Sequence, residues 1–106
     1  MREVVVTGLG IVSSIGNNIG EVTNSLSNLK SGITKNEVNE ELGLRSHVSG
    51  SIRNLDTKEL IDRKLYRFMG DAAAYAYLST EEAIKDASIE GSILSNHRTG
   101  IIMGSG

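Results

Sequence analysis

The chain has 106 residues, the length of one small domain or of part of a larger one, with a formal net charge of −2 and no cysteine. The near balance of charge gives no electrostatic reason to expect binding to nucleic acid or to an anionic membrane, and without cysteine these residues offer no disulfide, thiolate nucleophile or cysteine metal site. No apolar run approaches the roughly 20 residues of a spanning helix, and Gly8 interrupts the N-terminal run that a signal peptide would need, so we expect a soluble, cytoplasmic protein.

The first third of the chain predicts a strand, a loop and a helix. Three consecutive valines at residues 4–6 are typical of a strand that is buried on both faces. A glycine-containing loop follows over residues 8–18. Asn18, three residues before Glu21, has the spacing of a capping box and predicts the start of an amphipathic helix, for which Gly32 is the predicted stop.

The remainder of the chain predicts a long helix between two short strands. Residues 33–54 are polar and irregular, with a short strand predicted at residues 47–52. Asp56, with a glutamate three residues later, predicts the start of one long helix or two abutting helices over residues 57–87, deeply buried through an alanine-rich face. Residues 99–103 predict a second buried strand. Because buried strands need partners on both sides, we expect either heavy oligomerisation or, as we favour, a piece of a larger α/β protein.

The strand and its glycine loop raise the alternative of a dinucleotide-binding fold. Gly8 and Gly10 fit its G-x-G-x-x-G/A pattern, but Ser13 occupies the third position and no acidic residue follows a second strand about 20 residues on. The phosphate-loop pattern also fails, since Asn17 stands where that pattern has lysine. We therefore disfavour nucleotide binding. Instead, we expect Gly8 and Gly10 to permit unusual backbone angles and close backbone approach inside a packed sheet.

The spacing of serines and histidines indicates no catalytic or metal site. Ser13, Ser14 and Ser105 are not part of a nucleophile elbow, and neither histidine nor acid is spaced to complete a triad. His47 and His97 are isolated and do not have the spacing of metal ligands.

A basic cluster lies within the predicted long helix and consists of Arg63, Lys64 and Arg67. One interpretation is a solvated face, with ion pairs from Glu59 to Arg63 and from Arg67 to Asp71. The other is a docking patch for an acidic partner, with Arg45 nearby. From the charges alone we favour the solvated face.

Five stretches taken in order resemble the N-terminus of bacterial β-ketoacyl-acyl carrier protein synthases of type I: VVVTGLGIVSSIGNN, SGIT, LRSHVSG, LIDRKLYRFMGDAAAYAYLSTEEAIKDA and TGIIMGSG. The resemblance implies that residues 1–106 are the N-terminal portion of a thiolase-like fold, a layered α/β structure with a core mixed sheet that is incomplete in this chain. It also implies that the glycine loop belongs to that sheet and binds no nucleotide or other cofactor. Two residues depart from the family pattern: Ser49 replaces an aromatic residue and Gly70 replaces a serine.

The resemblance further implies a chemistry and a set of partners. Enzymes of this family condense an acyl chain with malonyl-acyl carrier protein in a decarboxylating Claisen reaction, using a cysteine and two histidines that lie downstream of the region matched here. This chain would then contain no catalytic residue and be inactive alone. The residues implied to bind acyl carrier protein are Arg45, Arg63, Lys64 and Arg67. A homodimer is implied for the whole enzyme. A type II or polyketide-pathway condensing enzyme and a noncatalytic carrier-protein-binding module are the open alternatives.

Overall fold

The computed structural model describes residues 1–105, which form six helices and one two-stranded sheet. In chain order the elements are α1 (Ile19–Ser27), β1 (Ile33–Lys35), α2 (Glu37–Glu41), β2 (Val48–Gly50), α3 (Thr57–Leu60), α4 (Arg63–Tyr66), α5 (Asp71–Asp86) and α6 (Gly91–Leu94). Strands β1 and β2 are antiparallel, with Thr34 opposite Ser49. The short strand predicted at residues 47–52 is therefore confirmed as β2, and the α/β class is confirmed at this coarse level.

Helix α1 begins where its capping residues predict and ends earlier than predicted. The Asn18 side chain accepts a hydrogen bond from the Glu21 N–H at 2.9 Å, and the Glu21 carboxylate accepts one from the Asn17 N–H at 2.7 Å. In a regular capping box the glutamate binds the N–H of the N-cap residue itself, whereas here it binds the N–H of the preceding residue, Asn17. The helix stops at Ser27, because Leu29 adopts a left-handed backbone with φ of 53°. The predicted stop at Gly32 was therefore wrong.

The predicted helix over residues 57–87 is divided into three helices. Ile61 is extended, with φ of −111° and ψ of 136°, and its side chain is only 3% exposed. The Asp62 carboxylate then accepts a hydrogen bond from the Lys64 N–H at 2.8 Å and starts a new helix, α4. A second interruption falls at Gly70, whose ψ of 176° precedes α5. The continuous apolar periodicity did not reveal either boundary, since a capping aspartate and a glycine fit within the pattern without changing its apolar positions.

Gly70 is the N-cap residue of α5 and makes no side-chain hydrogen bond there. We expect Gly70→Ser to raise the free energy of unfolding by a few tenths of a kcal/mol, because a serine hydroxyl can accept a hydrogen bond from the first turn. A Cβ atom at this position would have no other atom within 4 Å, so the side chain fits. Thermal unfolding measures the change. Gly70→Ala is the matched control, and a serine variant no more stable than the alanine variant would contradict the expectation.

The strands predicted at residues 4–6 and 99–103 do not form within residues 1–105. Val4 is 92% exposed and Ile102 is 99% exposed, and neither segment is paired with another strand in the part of the chain described. The physical reason is that a strand is completed by hydrogen bonds to neighbours, and this region supplies none for these two segments. The only sheet here is antiparallel and uses β1 and β2, so the core mixed sheet is absent from the described residues.

The described chain is more open than a self-contained domain of its length. Its radius of gyration is 16.9 Å, whereas a compact chain of this size has about 13 Å. Its accessible surface is 8895 Å², against about 5,800 Å² for a folded monomer of this mass. The buried apolar side chains in residues 1–105 are Val22, Ile61 and Ala74. Helix α5, for which deep burial was predicted, has Ala74 as its one buried residue, and twenty large apolar side chains of the described residues are exposed.

Candidate functional site

The glycine loop packs against α5, and this contact explains its two glycines. A Cβ atom at Gly10 would lie 1.8 Å from the Ser79 carbonyl oxygen, and one at Gly8 would lie 2.3 Å from the Ala83 carbonyl oxygen. Neither glycine has a positive φ. The predicted close backbone approach is therefore confirmed. The predicted unusual backbone angles and the sheet environment were wrong, because the neighbour is a helix.

Two carboxylates of α5 bind the backbone of the glycine loop and of the first residue of α1. The two oxygens of Glu82 accept hydrogen bonds from the Ile11 N–H at 2.9 Å and from the Ile19 N–H at 2.8 Å. Asp86 accepts one from the Leu9 N–H at 3.0 Å. A phosphate-binding loop keeps such N–H groups available for its ligand, whereas these three are directed at carboxylates of the same chain. This arrangement favours a structural role for the loop over the dinucleotide alternative.

Glu82 and Asp86 were missed by the sequence analysis. They lie one turn apart on α5 and share the face that carries Ser79 and Ala83 towards the loop. In the sequence, a small residue precedes each carboxylate by three positions, Ser79 before Glu82 and Ala83 before Asp86. This pattern could have indicated that the helix face contacts another backbone. Acidic side chains within a helix are more often solvated, and the sequence does not distinguish the two situations.

We expect Glu82→Gln to lower the free energy of unfolding by about 1 to 2 kcal/mol, because an amide has one acceptor oxygen for two donors and loses the charge assistance. Urea unfolding measures the difference. Glu81→Gln is the matched control, since Glu81 is exposed and its carboxylate accepts no hydrogen bond within residues 1–105. Equal stability of the two variants would show that the hydrogen bonds accepted by Glu82 contribute nothing to the free energy of unfolding.

The basic cluster is exposed at the short helix α4. Arg63 and Lys64 are its first two residues, and Arg67 follows its last residue, with an Arg67 N–H to Arg63 carbonyl distance of 3.4 Å that places the two arginines one turn apart. The ion pairs considered for the solvated face are not formed. The one ion pair within 4 Å in residues 1–105 joins Lys35 to Glu40. The three cations of the cluster thus have no carboxylate partner in the described part of the chain.

An exposed aromatic ring adjoins the cluster. The guanidinium carbon of Arg67 lies 4.5 Å from the centroid of the Phe68 ring, within the range of a cation–π interaction. Phe68 is 77% exposed, and Leu65 is exposed beside it. The surface around α4 therefore combines positive charge with exposed apolar area.

Arg45 lies apart from the cluster in its local contacts. It is exposed in the loop between α2 and β2. Among residues 1–105, no hydrogen bond or ion pair joins it to α4. The structure thus brings Arg63, Lys64 and Arg67 together and leaves Arg45 without a direct link to them.

Neither a metal-ligand cluster nor a helix suited to cross a membrane is found in the described residues. Over residues 1–105, no group of three or more histidine, cysteine, aspartate or glutamate side chains is placed to hold a metal ion. His47 precedes β2 and His97 lies in the turn after α6, both exposed. No helix in this part of the chain combines the length and apolarity that a membrane span requires.

The fold and the site define an α/β region in which the cations at α4 are exposed and form no ion pair within residues 1–105. Comparison with known proteins identifies the family. Residues 1–106 match the family described as beta-ketoacyl synthase, N-terminal domain. The chain is 56% identical over 106 residues to 3-oxoacyl-[acyl-carrier-protein] synthase 1 of Haemophilus influenzae, covering all of this chain and 26% of that protein. It is 53% identical over 107 residues to the synthase 1 of Escherichia coli K12, with the same coverage. It is 30% identical over 105 residues to a synthase 2 of Staphylococcus aureus, covering 99% of this chain and 25% of that protein.

The chain therefore belongs to the beta-ketoacyl synthase family, as its sequence resemblance predicts. It spans about a quarter of the length of the relatives that it matches.

Proposed function

We propose that this chain is the N-terminal portion of a condensing enzyme of fatty-acid biosynthesis. The enzyme extends an acyl chain by decarboxylating Claisen condensation with malonyl-acyl carrier protein, and residues 1–106 form part of its thiolase-like domain. The proposal is supported by the family match over the whole chain and by relatives at 53% and 56% identity that are named 3-oxoacyl-[acyl-carrier-protein] synthase 1. A cytoplasmic location and a homodimeric state belong to the same proposal and rest on the family resemblance.

The proposed reaction leaves no chemical step to the residues of this chain. A cysteine thiolate takes the acyl group from its carrier, malonyl-acyl carrier protein loses carbon dioxide, and the resulting carbanion attacks the acyl thioester and releases the thiolate. The present chain contains no cysteine, and its two histidines, His47 and His97, are both exposed. The thiolate and the two assisting histidines would come from the part of the enzyme that follows the matched region.

We infer that this region contributes the docking surface for the carrier protein. The observation that supports this inference is the basic cluster at α4, which forms no ion pair within residues 1–105. Arg63, Lys64 and Arg67 are exposed, lie within one helical turn and have no carboxylate partner in residues 1–105. Such a cluster attracts the acidic helix of an acyl carrier protein and sets the orientation and rate of association more than the chemistry. Arg45 is included as a further contact on the family resemblance alone.

The exposed apolar surface supports an assignment to a larger domain. Twenty large apolar side chains of the described residues are exposed, including residues 4–6 and 101–103 at the two unformed strands. Burial of this surface by further strands and helices of the same enzyme would supply the partners that both segments lack.

The experiment is to read the gene beyond codon 106, express the full reading frame and incubate it with acyl- and malonyl-acyl carrier protein. We expect a ketoacyl product from the full-length protein and none from the 106-residue chain alone. Turnover by the short chain at a comparable rate would overturn the assignment of the chemistry to downstream residues. A stop codon after residue 106 would favour the noncatalytic binding module. The choice between type I and type II enzymes is tested by the acyl chain lengths that the full-length protein accepts.

A further inference from the structure

The helix that carries the basic cluster is too short to maintain its own position. Helix α4 has four residues, a single turn, and isolated helices of this length do not form in water. Its geometry and direction must therefore be imposed by contacts with the rest of the chain. Such contacts decide whether Arg63, Lys64 and Arg67 face one partner surface or sample several orientations.

One of these contacts joins the two ends of the α3–α4 corner. The Thr57 hydroxyl, at the first residue of α3, donates a hydrogen bond to the Tyr66 hydroxyl oxygen at 3.2 Å, at the last residue of α4. Both side chains are half-buried. Between them the chain turns at Ile61, whose buried side chain anchors the corner. The hydrogen bond thus spans nine residues and fixes the angle between the two short helices.

The other contact sets the first turn of α4. One Asp62 carboxylate oxygen accepts from the Lys64 N–H at 2.8 Å, and the Asp62 carbonyl accepts from the Leu65 and Tyr66 N–H groups, each at 2.9 Å. Asp62 is an anion immediately before two cations of the cluster, and its charge repels an acidic partner. Its capping contact accounts for the presence of an acid at this position.

We propose that Tyr66 and Asp62 are positioning residues that hold α4 in the orientation required for docking of the carrier protein. The inference rests on the proposed function. Tyr66 acts by closing the α3–α4 corner, and Asp62 acts by capping the helix, so neither needs to touch the partner. Without these contacts the basic cluster is presented in a range of orientations, and fewer encounters with the carrier protein are productive.

The first test is Tyr66→Phe in the full-length condensing enzyme, which removes the hydroxyl and keeps the ring. We expect kcat/KM for carrier-protein substrates to fall about fivefold, through a higher KM, with kcat unchanged. Activity on a small-thiol substrate that lacks the carrier protein should not change. Tyr75→Phe is the matched control, because Tyr75 is half-buried on α5 and its hydroxyl makes no hydrogen bond within residues 1–105. An unchanged KM for Tyr66→Phe, or an equal loss on both substrates, would overturn the role of Tyr66.

The second test separates the cap from the charge at residue 62. Asp62→Ala removes both, and we expect it to raise the carrier-protein KM. Asp62→Asn keeps the capping oxygen and removes the repulsive charge, so its KM should equal or fall below that of the unsubstituted enzyme. If the asparagine variant is as impaired as the alanine variant, the cap is not the reason for the effect. Should the alanine variant fail to fold, Tyr66→Phe still decides the role of the α3–α4 corner, and a raised KM for the asparagine variant would overturn the role of the cap.

A charge-reversal variant distinguishes failure of this inference from failure of the proposed function. If Arg63→Glu combined with Arg67→Glu leaves carrier-protein kinetics unchanged, the docking function itself is wrong. If that variant is impaired while Tyr66→Phe and Asp62→Ala are not, the docking function holds and the positioning role is overturned.

Discussion

Replacing Gly10 with alanine should lower the free energy of unfolding by about 3 kcal/mol or more, because the added methyl group meets backbone that cannot move away. The Cβ atom would lie 1.8 Å from the Ser79 carbonyl oxygen and 2.8 Å from the Ala83 nitrogen, both in the backbone of α5. This steric overlap can be relieved only if α5 moves away from the glycine loop. Separation would also break the hydrogen bonds that Glu82 accepts from Ile11 of the loop and from Ile19 of α1, so the effect extends beyond one contact.

Urea unfolding of the substituted protein measures this change, and Gly91→Ala provides the matched control. Gly91 is the first residue of α6, and a Cβ atom there would have no neighbour within 4 Å. We expect the control to be as stable as the unsubstituted protein or slightly more so, since alanine favours helix over glycine. Equal stability of Gly10→Ala and Gly91→Ala would show that the loop does not pack on α5 as described.

Under the proposed docking function, the second large effect is expected from Arg63→Glu combined with Arg67→Glu in the full-length enzyme. We expect kcat/KM for carrier-protein substrates to fall about tenfold at low salt, because two exposed contacts of up to about 1 kcal/mol each are replaced by repulsion. The loss should arise mainly from slower association. Added salt should reduce the difference between the variant and the unsubstituted enzyme, since exposed charges are screened over about 10 Å at 0.1 M ionic strength.

Two controls define the origin of that loss. Lys30→Glu combined with Arg98→Glu makes the same change in net charge at exposed residues outside α4, and we expect it to have little effect. A small-thiol substrate reports on the chemistry without the carrier protein. Equal impairment on both substrates would show that the basic cluster has a structural role. Unchanged kinetics with carrier-protein substrates would show that the cluster is only a solvated face.

Local signals in the sequence were sufficient to predict the starts of two helices. The capping residues Asn18 and Asp56 both accept hydrogen bonds from the first turn of their helices, at Glu21 for the first and at Lys58 and Glu59 for the second. A cap is a contact between residues two or three apart, so the sequence contains all that is needed to recognise it. The basic cluster was found for the same reason, because its members are neighbours along the chain.

Features that depend on distant residues could not be predicted. The strands predicted at residues 4–6 and 99–103 do not form, because a strand requires pairing partners and the described residues supply none for them. The bridge from Glu82 to Ile19 joins residues 63 apart, and no spacing rule connects them. The contact between Thr57 and Tyr66 needed the corner at Ile61, where burial of one side chain interrupts a regular helical pattern. In each case contacts between residues distant in sequence, or their absence, override the secondary structure that the local sequence favours.

The hydrogen bonds from the backbone of the glycine loop and of Ile19 to the carboxylates of α5 also determine which substitutions are tolerated at the donor positions. Glu82 and Asp86 bind the N–H groups of residues 9, 11 and 19 and do not depend on the side chains there. In a saturation library these three positions can therefore vary in size and polarity without loss of this contact. Proline is the exception, because it has no N–H to donate. The 106 residues contain no proline. A library screened for folding should accordingly be depleted of proline at these positions before any other residue type.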